Sequence, residues 1–262
     1  MSSNIQFIRK VTVVLNYAGK RLLVDPFFAE KGRYPSFPGT ANSHLSNPLV
    51  EMPVKPESLI DVDAVLVSHL HPDHWDEVAV QTLPKDIMIL AQNEDDAKVI
   101  RSQGFTNVEA LGEDASFEGL SFKKTYCQHG TDAAYSIPDL ANFLGQPSGY
   151  YFKSKGEKSV YFLGDTLLID EIENNLRTWQ PDVIIVNAGC ASLASDELGP
   201  VTMGKEDVER IHNLLPDATI VAIHMEALNH CVLNRKELKE FVAEKGMEDK
   251  VIIPEDGQLI SL

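Results

Sequence analysis

Basic residues are scarce in this sequence: 23 lysines and arginines face 39 aspartates and glutamates, for a formal net charge of −16. Phosphate backbones are gripped by lysine and arginine, so the imbalance argues against a nucleic-acid partner, and no basic cluster stands out to override it. Cysteine is rarer still. Cys127, Cys190 and Cys231 are odd in number and include no C-x-x-C pair, the pattern of reduced thiols in a cytoplasmic protein rather than of a disulfide framework. No apolar run is long enough to span a bilayer, and the opening MSSNIQFIRK lacks the apolar stretch of a secretory signal. Neither membrane insertion nor export is therefore expected.

Histidine is also uncommon, eight in 262 residues, yet three of the eight fall with an aspartate inside the six positions His69–His74 of SHLHPDHW. The stretch follows DAVLV, an aliphatic run that reads as a buried strand. Pro72 keeps His71 out of the helical region, so the stretch is a loop, with a helix opening near Trp75–Glu77. It is therefore not the helical pair of histidines at i and i+4. In an extended segment His69 and His71 fall on one side, while Asp73 and His74 lie past the bend. That spacing suits two neighbouring cations, because imidazole and carboxylate are ligands that zinc and similar divalent ions accept.

Other apolar runs end on further candidate ligands. LSFKKTYCQHG closes on His129, SVYFLGDT on Asp165 and ATIVAIHM on His224. Taken singly, a strand-end Asp is commonly a cap or turn residue and a lone His a structural one. Together with the loop they make seven nitrogen and oxygen ligands. One metal would take His69, His71 and His129, the other Asp73, His74 and His224, with Asp165 between them.

HLHPDH, then His129, then GDT with Asp165, then His224 resembles the full signature of the metallo-β-lactamase superfamily, in order and over nearly the whole chain. LLVDPFF and FLGDT are most similar to the branch that holds ascorbate-phosphate lactonases, N-acyl phosphatidylethanolamine phospholipase D and many generic metal-dependent hydrolases. The resemblance implies an α/β fold, the four-layer αββα sandwich, with the metals at the sheet edges. It also implies a hydrolase with two divalent ions, zinc first and manganese, iron or nickel as alternatives. Such ions lower the pKa of a shared water to about 7 and supply hydroxide for attack on a small-molecule lactone, ester or phosphodiester. Asp73 would orient that nucleophile or pass on its proton. Iron-dependent oxidoreductases share the fold, but the diiron flavoproteins place a glutamate where this chain has His71. A non-catalytic relative would be marked by lost ligands, and none is lost.

One large domain over residues 1–262 is expected from the length, with self-association left open. Strands are predicted at Ile5–Ile8, Val11–Tyr17 and Arg21–Asp25, then a Pro/Gly-rich insert over about 26–56, too long for an ordinary connection and so a pocket-forming loop. Strand and helix units follow in both halves. Helices are predicted over Asp76–Leu83, Asp95–Gln103, Asp170–Gln180, Lys205–Leu214 and Arg235–Lys245, the pattern of a layered α/β sandwich. NEDDAK reads as the acidic first turn of a surface helix.

Several residues remain open at this level. His230, six positions after His224, either assists catalysis or is structural. Asp25 leans towards holding a metal-bound histidine. His44, in the insert, is a substrate contact or an exposed loop residue, and His212 is an ordinary helix residue. Phe27, Phe28, Tyr34 and Phe37 either line a pocket or pin the insert to the core. Cys127 reads as a small buried side chain.

Overall fold

The computed structural model describes residues 3–262; Met1 and Ser2, the start of the segment read as lacking a leader, lie outside them. The chain begins with antiparallel strands β1 (Asn4–Arg9), β2 (Thr12–Tyr17) and β3 (Lys20–Val24). Parallel strands β4 (Ala64–Val67), β5 (Ile89–Ala91) and β6 (Val108–Ala110) extend the sheet from β3. The second sheet is built from β7 (Asp114–Phe117), β8 (Leu120–Tyr126), β9 (Ser148–Phe152), β10 (Val160–Phe162), β11 (Val183–Asn187), β12 (Thr219–Ile223) and β13 (Val251–Ile252). In it β10 to β13 run parallel. A last strand, β14 (Leu259–Ser261), returns to pair with β1, so among the described residues each sheet has seven strands.

Alternation of side chains along the strands decides the layers. On β4, Ala64 and Leu66 face the second sheet, where Phe122, Phe152, Phe162, Ile185 and Val221 complete a shared core. Val65 and Val67, pointing the other way, meet α1 (Glu77–Thr82) and α2 (Glu94–Ser102) through Ala79, Ala97 and Ile100. The outer face of the second sheet is covered by α5 (Asp170–Trp179), α6 (Lys205–Leu214) and α7 (Arg235–Glu244), through Ile172, Leu176, Val208, Ile211, Leu238 and Val242. The result is the predicted αββα sandwich. Two short helices, α3 (Asp132–Tyr135) and α4 (Pro138–Leu144), stand between β8 and β9 and have no counterpart in the sequence reading.

Helix boundaries follow capping chemistry. Asp76 accepts from the Ala79 N–H and Asn93 from the Asp96 N–H, so α1 and α2 begin one residue after each cap. Glu94, Asp95 and Asp96 do form the acidic first turn of α2. No helix among the described residues is long and apolar enough to cross a membrane.

The insert of residues 26–56 contains no strand longer than a bridge and is held at its ends by buried polar groups. The Arg9 guanidinium donates to the carbonyls of Phe27, Ala29 and Val50. The Asp76 carboxylate accepts from the Phe28 and Ala29 N–H groups, and Asn229 bonds to Asn47, Thr40 and Ala41. Phe27 and Phe28 are buried beneath it, so they pin the insert rather than line a pocket.

Candidate metal centre

The parallel strands bring their carboxyl ends to one rim, where open α/β sheets present functional groups. β4 leads into Ser68 and the histidine loop, β8 into His129, β10 into Asp165 and β12 into His224. β1 runs parallel to β3, so its end delivers Lys10 to the same rim. Two of these strand ends, and that of β3, turn sharply: Lys10, His224 and Asp25 have φ of 59°, 70° and 46°. A non-glycine residue there costs about 1–3 kcal/mol, and such strain concentrates at functional sites.

The predicted ligands converge. His69, His71 and His129 each offer an atom within 4.8 Å of the other two, as do Asp73, His74 and His224, and also His69, His74 and Asp165. These are the two triads read from the sequence, with Asp165 reaching both. Its Oδ2 lies 3.1 Å from His74 Nε2 and 3.6 Å from His129 Nε2, and its Oδ1 lies 3.2 Å from His224 Nε2.

Outer hydrogen bonds set each imidazole, as partners of metal-binding histidines do. Asp25 accepts from His74 Nδ1 at 2.8 Å and also from the Ser68 hydroxyl and N–H, which matches its expected holding role. His129 Nδ1 donates to the Val201 carbonyl at 2.7 Å, leaving Nε2 with a lone pair towards the cluster. His71 Nε2 bonds the Phe143 carbonyl at 2.6 Å, and the two rings stack. Asn187 donates to Asp165 Oδ1 at 2.6 Å.

Whether a metal fits is a question of unpaired atoms and charge. His69 Nε2 and His224 Nε2 are buried without a hydrogen-bond partner, which is costly unless something else satisfies them. Asp25, Asp73 and Asp165 are all buried, against the single ammonium of Lys10. Burial works against the charged forms of Asp73 and Asp165, yet Lys10, His74 and His224 outweigh it and hold both well below the usual carboxylate range. Burial pushes His69, His71 and His224 down and lowers His129 to about 4, so these rings are neutral lone-pair donors at neutral pH. His74 is opposed by burial and Lys10, but the three carboxylates raise it to about 9. Lys10 and a protonated His74 offset the three carboxylates only in part; divalent cations, which would displace the His74 proton, fit the remaining charge and the idle imidazole nitrogens.

Beside the rim lies a cleft of about 30 Å³, room for little more than one water by volume. His71, Asp73, His129 and His230 form its polar side; Phe37, Phe143, Leu144, Leu193 and Val201 form its apolar wall. Phe37 thus lines the pocket, meeting His230 edge-on at 5.0 Å, whereas Tyr34 bonds Asp76 outside it. His44 is exposed and does not line the cleft; His212 sits on α6 as expected. Cys127 is buried and donates its thiol to the Leu163 carbonyl.

The chain matches the family described as "Beta-lactamase superfamily domain" over residues 20–225. It belongs to that superfamily. Among relatives of this metallo-β-lactamase fold, the UPF0173 protein YddR of Bacillus subtilis (strain 168) is 45% identical over 256 residues, 97% of this chain and 98% of YddR. The structure of an isothiocyanate hydrolase from Delia radicum gut bacteria superposes with a TM-score of 0.96 at 45% identity, covering 99% of each chain. That of a possible metal-dependent hydrolase from Veillonella parvula DSM 2008 gives 0.97 at 37% identity, covering 100% of each. The chain is a metal-dependent hydrolase of the metallo-β-lactamase family.

Sequence reasoning missed Lys10, Ser68, Asn187 and the α4 residues Phe143 and Leu144. The one available signal was the pair Arg9–Lys10, two basic residues set between apolar strands; both are fully buried. Gly189 is a further hidden support: a Cβ there would stand 2.0 Å from the His224 carbonyl oxygen. Gly189→Ala is therefore expected to displace His224 and destabilise the fold by roughly 3 kcal/mol, read by thermal melting and by metal content.

Proposed function

We propose that the chain is a dinuclear hydrolase acting on small neutral electrophiles with an apolar substituent, isothiocyanates being the substrate class. The observation that carries this is the seven-ligand rim opening on a small, apolar-walled cleft that no lysine or arginine lines among the described residues. An anionic phosphodiester finds no cationic side chain there, and 45% identity to an isothiocyanate hydrolase across 99% of each chain supports a heterocumulene. His69, His71 and His129 would hold one divalent ion, zinc first, and Asp73, His74 and His224 the other, with Asp165 shared. When bound, such ions supply Lewis acidity and lower the pKa of water.

The chain's own residues do the rest. Phe37, Phe143 and Leu193 close over the cleft and exclude bulk water, and they must part to admit the substituent, which then packs against them. Asp73, kept ionised by Lys10 and facing the cleft, orients the attacking water as a hydrogen-bond acceptor. Water adds to the central carbon of R–N=C=S and one of its protons passes to the nitrogen, giving the thiocarbamic acid R–NH–C(=O)–SH; the second proton then moves to the nitrogen as the C–N bond breaks, releasing carbonyl sulfide and the amine R–NH2. His230 lines the same cleft. Burial lowers its pKa to about 3, and added cations would lower it further, so it acts as a neutral hydrogen-bonding group and not as a proton carrier.

The test is turnover of an aryl or alkyl isothiocyanate against a lactone, an ester and a phosphodiester by zinc-loaded protein. Faster cleavage of the lactone or the phosphodiester would reject the substrate class. His230→Ala should keep its metal and lose about tenfold or more in turnover, by a similar factor at pH 6 and pH 9. Loss of metal in that variant would mean that His230 is a ligand.

A further inference from the structure

Lys10 contributes a charge that the proposed attack uses only indirectly, and its placement favours one half of the rim over the other. Its side chain is fully buried, with Nζ 2.6 Å from Asp73 Oδ2 and 2.9 Å from His74 Nε2. Its carbonyl accepts the His224 N–H at 2.6 Å. One residue therefore touches every member of the Asp73–His74–His224 triad. Against the other triad the hydrogen-bonding partners are Ser68, the Phe143 carbonyl and the Val201 carbonyl, with no lysine or arginine among them. The left-handed backbone at Lys10, φ 59°, fixes the start of the side chain at the tight β1–β2 turn.

A divalent ion brought to the second triad must share the Asp73 carboxylate with an ammonium already on it. Two cations a few ångströms apart in a buried site repel strongly, and the repulsion does not reach the first triad to the same degree. We propose that Lys10 is a positioning residue that grades the two metal positions: the His69/His71/His129 position fills first, and the Asp73/His74/His224 position fills with an affinity at least about tenfold weaker. The inference rests on the dinuclear reading above but concerns binding, so it is tested without substrate.

The experiment is a calorimetric titration of the full chain with zinc alone, with bound metal counted by elemental analysis. Wild type is expected to show two unequal steps. Lys10→Met, which keeps the stem and removes the charge, should tighten the second step about tenfold or more and leave the first unchanged. Lys10→Asn is the companion variant, because asparagine adopts a left-handed backbone readily; circular dichroism establishes which variants fold. Two equal steps in wild type would overturn the proposal, as would a folded variant whose second step is no tighter. If neither variant folds, the two steps of wild type decide it alone. A chain that binds one ion at most in wild type and in both variants would reject the dinuclear reading as well, whereas two equal steps would leave that reading standing.

Discussion

Asp165→Ala is expected to abolish most metal binding and to lower kcat/KM by well over a hundredfold. Removal of a residue that merely orients a ligand costs about 10–100-fold, and Asp165 would itself be a ligand in the proposed arrangement. It is the carboxylate within reach of His74, His129 and His224 together, drawn from both triads. Without it three imidazoles lose their common anionic neighbour, and Asn187 loses the acceptor of its amide. Asp165→Asn separates the causes, since it keeps the shape and removes the charge. Elemental analysis and turnover, run on the same preparations, are the measurements. Full metal content with near-normal turnover in the alanine variant would rule out the shared-carboxylate arrangement.

Stripping the metals with a chelator should lower the melting temperature by roughly 10 °C. His69, His71, Asp73 and His74 follow β4 of the first sheet, while His129, Asp165 and His224 follow β8, β10 and β12 of the second. A cation held by these residues would therefore bond to both sheets at once. A ligand at a thousandfold excess over its Kd stabilises the folded state by about 4 kcal/mol. A domain of this size shifts by about 2–4 °C per kcal/mol. Scanning calorimetry with and without chelator, followed by zinc restoration, measures the effect. An unchanged melting temperature would mean that the cluster is held together by its hydrogen bonds alone.

The candidate ligands were legible because their chemistry is local. A histidine cluster behind a buried strand, and polar residues closing three other apolar runs, need no knowledge of the fold to be noticed. The core helices were legible from their periodicity and caps. β7 and β14 were not: one is four residues with two buried, the other three residues with Ile260 alone buried, and β14 exists by pairing with β1 across the whole chain. α3 and α4 are too short to establish a period, and Pro138 separates them. Lys10 was illegible for a different reason. In sequence it is a charged residue at a turn, and its burial follows from meeting Asp73 and His74, both more than sixty positions away.

Arg9 grips both ends of the 26–56 insert, taking Phe27 and Ala29 on one side and Val50 on the other. The segment between is thereby closed on itself like a drawstring, and it is tied to the rest of the molecule at Asn229 rather than at the strands that carry the candidate ligands. Phe37 and Thr40, which that segment sends into the cleft, can then vary as a cassette. Exchanging the middle of the insert between relatives would therefore reshape the Phe37 and Thr40 side of the cleft while leaving Phe143, Leu144 and Leu193 on its other side in place.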